Sequence, residues 1–227
     1  VLSRRQRQMC IRDRFTFNMP SEDVTALMGV VVPDALVRIQ GTKLSQQGPV
    51  LITHWGMSGP AVLKLSAWGA RDLAERRYAF SIQINWVGIP NATEAAETMD
   101  AAVDEMRRKK VANACPFELP KKFWAYLLER AEIPADSVWL ELGKKAKNKL
   151  LNTLLNDVYE VRGKTTFKEE FVTCGGVALG EVDFHTMQSH VVPGLYFAGE
   201  VLNVDGVTGG FNFQAAWTTG FVAGRLG

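Results

Sequence analysis

The sequence has 227 residues, 47% hydrophobic and 22% charged, an ordinary composition for one large core or two small ones. A formal net charge of +2 gives no global case for nucleic acid or an anionic membrane, and no apolar run approaches the roughly 20 residues of a membrane helix. Three cysteines (Cys10, Cys115, Cys174), an odd number without CxxC spacing, argue against a disulfide framework and against a zinc site; no metal is expected, and a reducing cytoplasm is the expected location.

At the start of the chain, Ser3 to Arg14 (SRRQRQMCIRDR) is basic and lacks an apolar h-region, so it does not read as a secretory signal. Its QMCIRDR run resembles translated adapter sequence, so residues 1–14 are set aside as non-native or disordered; a basic nucleic-acid arm is the alternative. From Val24 to Val87 strand signals dominate: Val30–Val32, Leu36–Gln40, Val50–Thr53 and Tyr78–Ile84, with turns at Gly41-Thr42-Lys43 and Gln47-Gly48-Pro49. Residues 15–90 therefore read as a small antiparallel sheet or barrel. Within it lies Thr53-His54-Trp55-Gly56-Met57-Ser58-Gly59-Pro60, where Ser58 is placed to cap a short helix over Ala61–Trp68 with Pro60 in its first turn. His54 is a candidate proton donor. The competing reading has His54 and Trp55 orienting the turn by packing and one hydrogen bond.

Residues 91–157 change to a helical period. Ala95, Met99, Ala102, Val103 and Met106 recur at helical spacing, with Asn91 and Glu94 as a capping pair. Pro120–Arg130 (Phe123, Trp124, Leu127, Leu128) and Lys144–Asn156 (Leu150, Leu151, Leu154, Leu155) are two further amphipathic helices. The clusters Arg107–Lys110 and Lys144, Lys145, Lys147, Lys149 suggest RNA, but solvated helix faces explain them without a partner, and no aromatic interleaving supports base stacking.

Strand-like alternation returns over Val158–Val172, and residues 158–227 form the third segment. Leu195–Ala198 is a short apolar run that reads as a buried strand, ending at Gly199-Glu200. A Gly-rich loop (Gly206, Gly209, Gly210) follows, then a helix over Asn212–Ala223. Strand, acidic turn, Gly-rich loop and helix together have chemical meaning. Glycine admits backbone close to a ligand, a carboxylate at a strand end accepts hydrogen bonds from sugar hydroxyls, and the helix mouth suits a ligand that carries or develops negative charge. Each glycine also has a competing explanation, a turn that needs positive φ.

The run Val172-Thr173-Cys174-Gly175-Gly176-Val177, through Met187 and Ser189, to GLYFAGE (194–200) and Gly209-Gly210-Phe211-Asn212-Phe213-Gln214, resembles the C-terminal signature of the aminoacetone-oxidase-like (BaiN/YhiN-type) NAD(P)/FAD-dependent flavoproteins. The 53–60 stretch looks like that family's internal THxGxSGP motif. The resemblance implies an α/β fold: the C-terminal remnant of a split Rossmann-type FAD-binding domain, with an inserted antiparallel barrel and helical subdomain. It also implies an FAD-dependent oxidoreductase with NAD(P)H as a further co-substrate and a small-molecule substrate; from the charge and hydropathy above, neither nucleic acid nor membrane is expected as partner. Glu200 would meet the ribityl hydroxyls, with Gly199 and Val201 beside it. Gly209, Gly210, Phe211 and Asn212 would lie against the flavin pyrimidine edge, and Gly175 and Gly176 close to the ring or substrate.

Two positions depart from the pattern: Cys174 replaces a smaller inert residue, and Asn203 stands where the family commonly has Asp. No GxGxxG followed by a helix occurs in the sequence, so the chain reads as a fragment that is inactive alone. A different class of function, a non-catalytic module binding RNA through its lysine-bearing helices, is the alternative.

Overall fold

The computed structural model describes residues 11–12, 14–165, 173–206 and 210–225. They fall into two compact units. The larger comprises Thr16–Leu65 and Arg76–Thr165; the smaller comprises the described residues before Thr16, Ser66–Glu75, and those after Thr165.

In chain order, β1 (Ile11–Arg12) belongs to the smaller unit. The larger unit then begins with β2 (Thr16–Asn18), β3 (Val31–Ile39), β4 (Ser45–Thr53) and β5 (Gly56–Ser58). Helix α1 (Pro60–Glu75) gives its first residues to the larger unit and the rest to the smaller. It outruns the 61–68 helix read from the sequence because Ala70 and Leu73 continue its buried side. Next come β6 (Ala79–Asn85), helices α2 (Ala92–Met106), α3 (Lys121–Arg130) and α4 (Lys144–Leu155), then β7 (Asp157–Arg162) and β8 (Lys164–Thr165).

These strands form one seven-stranded antiparallel sheet in the order β7-β6-β3-β4-β5-β2-β8. The period-2 pattern sets its register. Val37 faces Ile84 and Ile39 faces Ile82, all buried, while Arg38 and Gln83 between them point the other way. Pro33, which cannot donate to a ladder, sits where the β3–β4 register shifts between Val32 and Ala35. The two edge strands, β7 and β8, are separated by Gly163 alone. Gly163 (φ +115°) donates its N–H to the Tyr78 carbonyl at 2.8 Å and accepts from the Asn18 N–H at 3.1 Å. One bent strand thus pairs with both ends of the sheet and closes it as a barrel. The closing strand lies at 157–165, inside the stretch assigned from sequence to the third segment, so the boundary between units falls at 165 rather than 157.

The helices lie within this same unit. Asn91 caps α2 by accepting the Thr93 N–H at 2.9 Å. Phe123, Trp124, Leu127 and Leu128 of α3 and Leu150, Leu154 and Leu155 of α4 are buried, as the 3.6-residue spacing requires. Three buried indoles each find an acceptor: Trp86 on Asp157 Oδ2 (2.9 Å), Trp124 on the Val111 carbonyl (2.8 Å) and Trp139 on the Ala114 carbonyl (2.9 Å).

In the smaller unit β9 (Thr173–Cys174) pairs antiparallel with β1, so Ile11 and Arg12, set aside on sequence grounds, take part in the fold. β10 (Val182–Asp183) pairs with β11 (Gln188–Ser189), and α5 (Phe211–Ala223) ends the unit. Val177, Val182, Met187, Phe197 and Leu202 form its core, with Leu195, Val204 and Val222 against them. The expected buried strand over 195–198 is not formed: Tyr196 makes one antiparallel bridge to Gln188 and is 39% exposed, while Phe197 alone is buried. Among the described residues no strand flanks this run on both sides, so there is no ladder for it to join. Among the described residues, too, no helix is long and apolar enough to cross a membrane.

Candidate functional site

The smaller unit gathers most of the residues singled out from the sequence. Val177 donates to the Val201 carbonyl (2.9 Å) and accepts from the Asn203 N–H (3.0 Å), giving a parallel bridge to Leu202. The Gly175-Gly176 and Gly199-Glu200-Val201 stretches are thereby held side by side. Gly176 has φ +142°, and a Cβ there would lie 2.5 Å from the Val201 oxygen and 2.7 Å from the Leu202 carbonyl carbon. A crossing backbone therefore accounts for this glycine, whatever else passes nearby. Gly175 also has positive φ (+114°) and is buried.

Gly199–Val201 is a single 3₁₀ turn whose Glu200 and Val201 are exposed. It is tied to α5 by the Gly199 N–H, which donates to Thr219 Oγ1 at 3.0 Å, while that hydroxyl donates to the Ala215 carbonyl at 2.7 Å. Gly210 precedes α5 in the left-handed region (φ +88°) without a side-chain cap. The N–H groups of Phe211, Asn212 and Phe213 have no acceptor among the described residues. A Cβ at Gly199 or at Gly210 would meet nothing within 4 Å among the described residues. An exposed carboxylate, an uncapped helix mouth and two open glycines make a donor and acceptor set suited to a ligand with hydroxyls and a carbonyl edge.

Asn212 is occupied differently from its expected role. Its Oδ1 accepts the Gly206 N–H (2.7 Å) and its Nδ2 donates to the Gly206 carbonyl (3.2 Å), which also accepts from Arg14 Nη2 at 2.6 Å. The side chain thereby holds Gly206 to the first turn of α5. Gly209, Val172 and the Cys174 side chain lie outside the described residues.

His54 belongs to the other unit. It sits exposed in the turn between β4 and β5, edge-on to Trp55 with ring centroids 4.1 Å apart. Trp55 donates its indole N–H to Thr16 Oγ1 (2.9 Å) and accepts from the Met19 N–H (2.7 Å). A Cβ on Gly56 would lie 2.0 Å from the Phe17 oxygen, and one on Gly59 2.8 Å from the Pro49 oxygen. Backbone crossings therefore explain the glycines of this motif. His185 and His190 are exposed, and the His185 N–H is held by Asp183 Oδ1 at 2.9 Å.

Two features of the larger unit carried no sequence signal beyond their letters. One is a buried polar cluster around Asp157. The other is a cleft of about 310 Å³ lined by Ala112, Asn113, Cys115, Leu119, Lys121 and Trp124. Burial pushes the Cys115 thiol up to about 11, against opposing hydrogen bonds from the Phe117 and Leu119 backbone, so it is not a nucleophile at neutral pH. Because folding favours the protonated thiol, its contribution to stability is whole below pH 9 and is lost as pH rises toward about 11. In a Cys10→Ser, Cys174→Ser background, Cys115 should resist alkylation at pH 8 and react readily in urea; equal rates in the two conditions would refute this. Among the described residues no three His, Cys, Asp or Glu side chains come together to hold a metal ion.

The family described as HI0933-like protein barrel and H2TH domain matches residues 14–172. Over 217 residues the chain is 31% identical to the ribosomal RNA dihydrouridine synthase of Escherichia coli (strain K12), covering 93% of this chain and 50% of that protein. The enzyme of the same name from Haemophilus influenzae is 31% identical over 208 residues, covering 91% of this chain and 48% of that protein. The 3-dehydro-bile acid delta(4,6)-reductase of Clostridium scindens is 29% identical over 178 residues, covering 78% and 43%. The chain thus spans about half the length of the curated relatives it matches.

Proposed function

From the premise that the chain belongs to the HI0933-like flavoprotein family, we propose that it forms the flavin-contacting end of an FAD-dependent reductase, with the smaller unit as the last part of a Rossmann-type domain. The observation that carries this is the exposed Glu200, held in a turn that the Gly199–Thr219 hydrogen bond ties to the body of α5, the same helix whose first turn is left uncapped. The amides of Phe211 to Phe213 would hold the flavin's carbonyl edge, and Glu200 would accept from the ribityl hydroxyls. Asn212 would keep Gly206 in place beside the first turn of α5. A bound flavin supplies hydride transfer. That chemistry is common to the relatives' names, which describe saturating a carbon–carbon double bond, in a uridine of ribosomal RNA for two and in a bile acid for the third.

His54 is the proton donor proposed for such a reduction, and NAD(P)H the reductant. A reducing cytoplasm suits the free Cys115 thiol. RNA, rather than a small molecule, is the substrate class we favour, because the two RNA-modifying relatives match the larger share of the chain.

The protein expressed from its complete reading frame should purify yellow. Glu200→Arg should weaken flavin retention at least about 100-fold by replacing a charged hydroxyl acceptor with a side chain that can only donate. A colourless protein that takes up no added FAD, or an unaffected Glu200→Arg variant, would overturn the proposal.

A further inference from the structure

The net charge of +2 conceals a sharp segregation. Helix α2 carries five acidic residues and no basic one, whereas residues 107–149 carry eleven Lys and Arg against five Asp and Glu, a local excess of six. Ion pairs absorb part of it: Arg107 with Asp104 (2.8 Å), Lys147 with Asp100 (3.7 Å), Lys149 with Glu132 (2.6 Å) and Arg130 with Asp157 (2.6 Å). Arg108, Lys109, Lys110, the pair Lys121–Lys122 and the pair Lys144–Lys145 are all exposed and have no ion-pair partner among the described residues.

The backbone brings these cations to one end of the helical part. The 107–111 strip is zipped to 137–140: Val111 donates to Ser137 (2.9 Å), Trp139 to Lys109 (3.3 Å) and Leu140 to Arg107 (2.9 Å). Four residues after Leu140, α4 opens on Lys144–Lys145. On the other side, the Trp124 indole holds the Val111 carbonyl, and Lys121 shares with Asn113 and Trp124 the cleft that follows the 108–110 run. Both helices begin without a side-chain cap and without an acidic residue in the first turn. Two lysines at a helix N-terminus oppose the helix dipole, so neither pair serves the stability of its helix. Cations left unpaired, joined through these backbone ties, with the two lysine pairs also set against the dipoles of α3 and α4, are what a polyanion would neutralise.

We infer that this surface, Arg108–Lys110 with Lys121–Lys122 and Lys144–Lys145, is where the protein docks the phosphate backbone of RNA. The inference rests on the RNA reading of the substrate given above, and locates it on a unit other than the one holding the proposed flavin contacts. Among the described residues the basic strip carries few exposed aromatic rings for base stacking, so recognition here is of backbone and shape rather than of bases.

The test uses the full chain and short fluorescein-labelled ribosomal RNA transcripts, titrated over a range of salt concentrations. Changing Lys109, Lys110, Lys144 and Lys145 together to Gln should weaken binding at least about 10-fold. It should also flatten the dependence of log Kd on log salt by about 0.7–0.9 for each phosphate that is no longer neutralised. Arg38→Gln with Lys43→Gln, exposed cations of the barrel, should change neither. Lys144→Gln and Lys145→Gln should leave the melting temperature unchanged or raise it, since they remove charge opposed to the dipole; a lowered melting temperature would mark the lysines as structural. The inference is overturned if the chain binds no RNA at low salt, if the barrel and helical variants lose equally, or if anionic phospholipid vesicles are bound with this dependence and RNA is not. Flavin content, read by absorbance of the protein from the complete reading frame, is unaffected by these changes, so failure of the docking surface and failure of the flavin proposal are separately visible.

Discussion

Asp157→Ala should destabilise the larger unit by about 3–5 kcal/mol, the range for stripping one partner from a buried charged network. Asp157 opens β7 with its side chain only 3% exposed. Oδ1 accepts two bonds from Arg130 of α3, from Nη2 at 2.6 Å and Nε at 3.1 Å. Oδ2 accepts from the Trp86 indole at 2.9 Å and from the Tyr159 hydroxyl, both buried. The Arg130 guanidinium also lies over the rings of Tyr159 (5.0 Å) and Tyr126 (5.6 Å). Burial, reinforced by the Asp157 carboxylate, holds the Tyr159 phenol well above its ordinary range, so it remains a donor through alkaline pH.

Alanine at 157 thus leaves a cation, an indole N–H and a phenol O–H without their acceptor, and detaches α3 from the strand it is pinned to. Arg130→Ala should cost less. Its side chain is 32% exposed, and the carboxylate would keep the Trp86 and Tyr159 bonds. Urea unfolding followed by tryptophan fluorescence measures both, and the double mutant gives the coupling. A loss below about 1 kcal/mol for Asp157→Ala would show that the cluster does not hold the helices to the barrel.

Local chemistry was readable from the letters, and long-range closure was not. The helices expected from the Ala95–Met106 spacing capped at Asn91, over 120–130 and over 144–156 stand at Ala92–Met106, Lys121–Arg130 and Lys144–Leu155, because a 3.6-residue period needs no knowledge of what it packs on. The alternation over 36–40 and 78–84 likewise gives β3 and β6. The role of Gly163 in joining 157–165 to both edges of the sheet has no such local mark, since it is set by partners more than eighty residues away in sequence. The Leu195–Ala198 run shows the converse error. Apolar letters between turn residues fit a buried strand, yet a strand needs neighbours to exchange hydrogen bonds with, and here Tyr196 finds only Gln188.

Charge misleads in a related way. A whole-chain total of +2 averages the acidic α2 against the basic stretch that follows it. Only the three-dimensional pairing of Arg107, Lys147 and Lys149 with their carboxylates separates the cations neutralised within the fold from those left over. Glycine is the hardest letter to read, because a ligand and a crossing strand make the same demand on it. GG at 175–176 and G at 210 look alike in sequence, yet a Cβ at 176 would strike the 201–202 backbone, whereas one at 210 would enter open space.

That difference yields the sharpest test of the flavin contacts. Gly176→Ala should cost the smaller unit roughly 3–5 kcal/mol, combining an unfavourable positive φ with a methyl driven into main chain that has little freedom to yield. The Val177–Val201 and Asn203–Val177 hydrogen bonds fix the crossing segment, so the clash is relieved only by moving Glu200 and its turn. Flavin retention and stability should therefore fall together.

Gly210→Ala should behave otherwise. Its methyl meets no atom of the described residues within 4 Å, so the fold loses only the left-handed backbone term, about 1–2 kcal/mol. A ligand lying against the N–H groups of Phe211 to Phe213 would meet that methyl directly, so flavin affinity should drop at least about 10-fold while hydrogen exchange over 173–225 stays close to that of the parent protein. If Gly210→Ala keeps its flavin within twofold of the parent, the mouth of α5 does not face the cofactor, and the open space beside Gly210 belongs to something else.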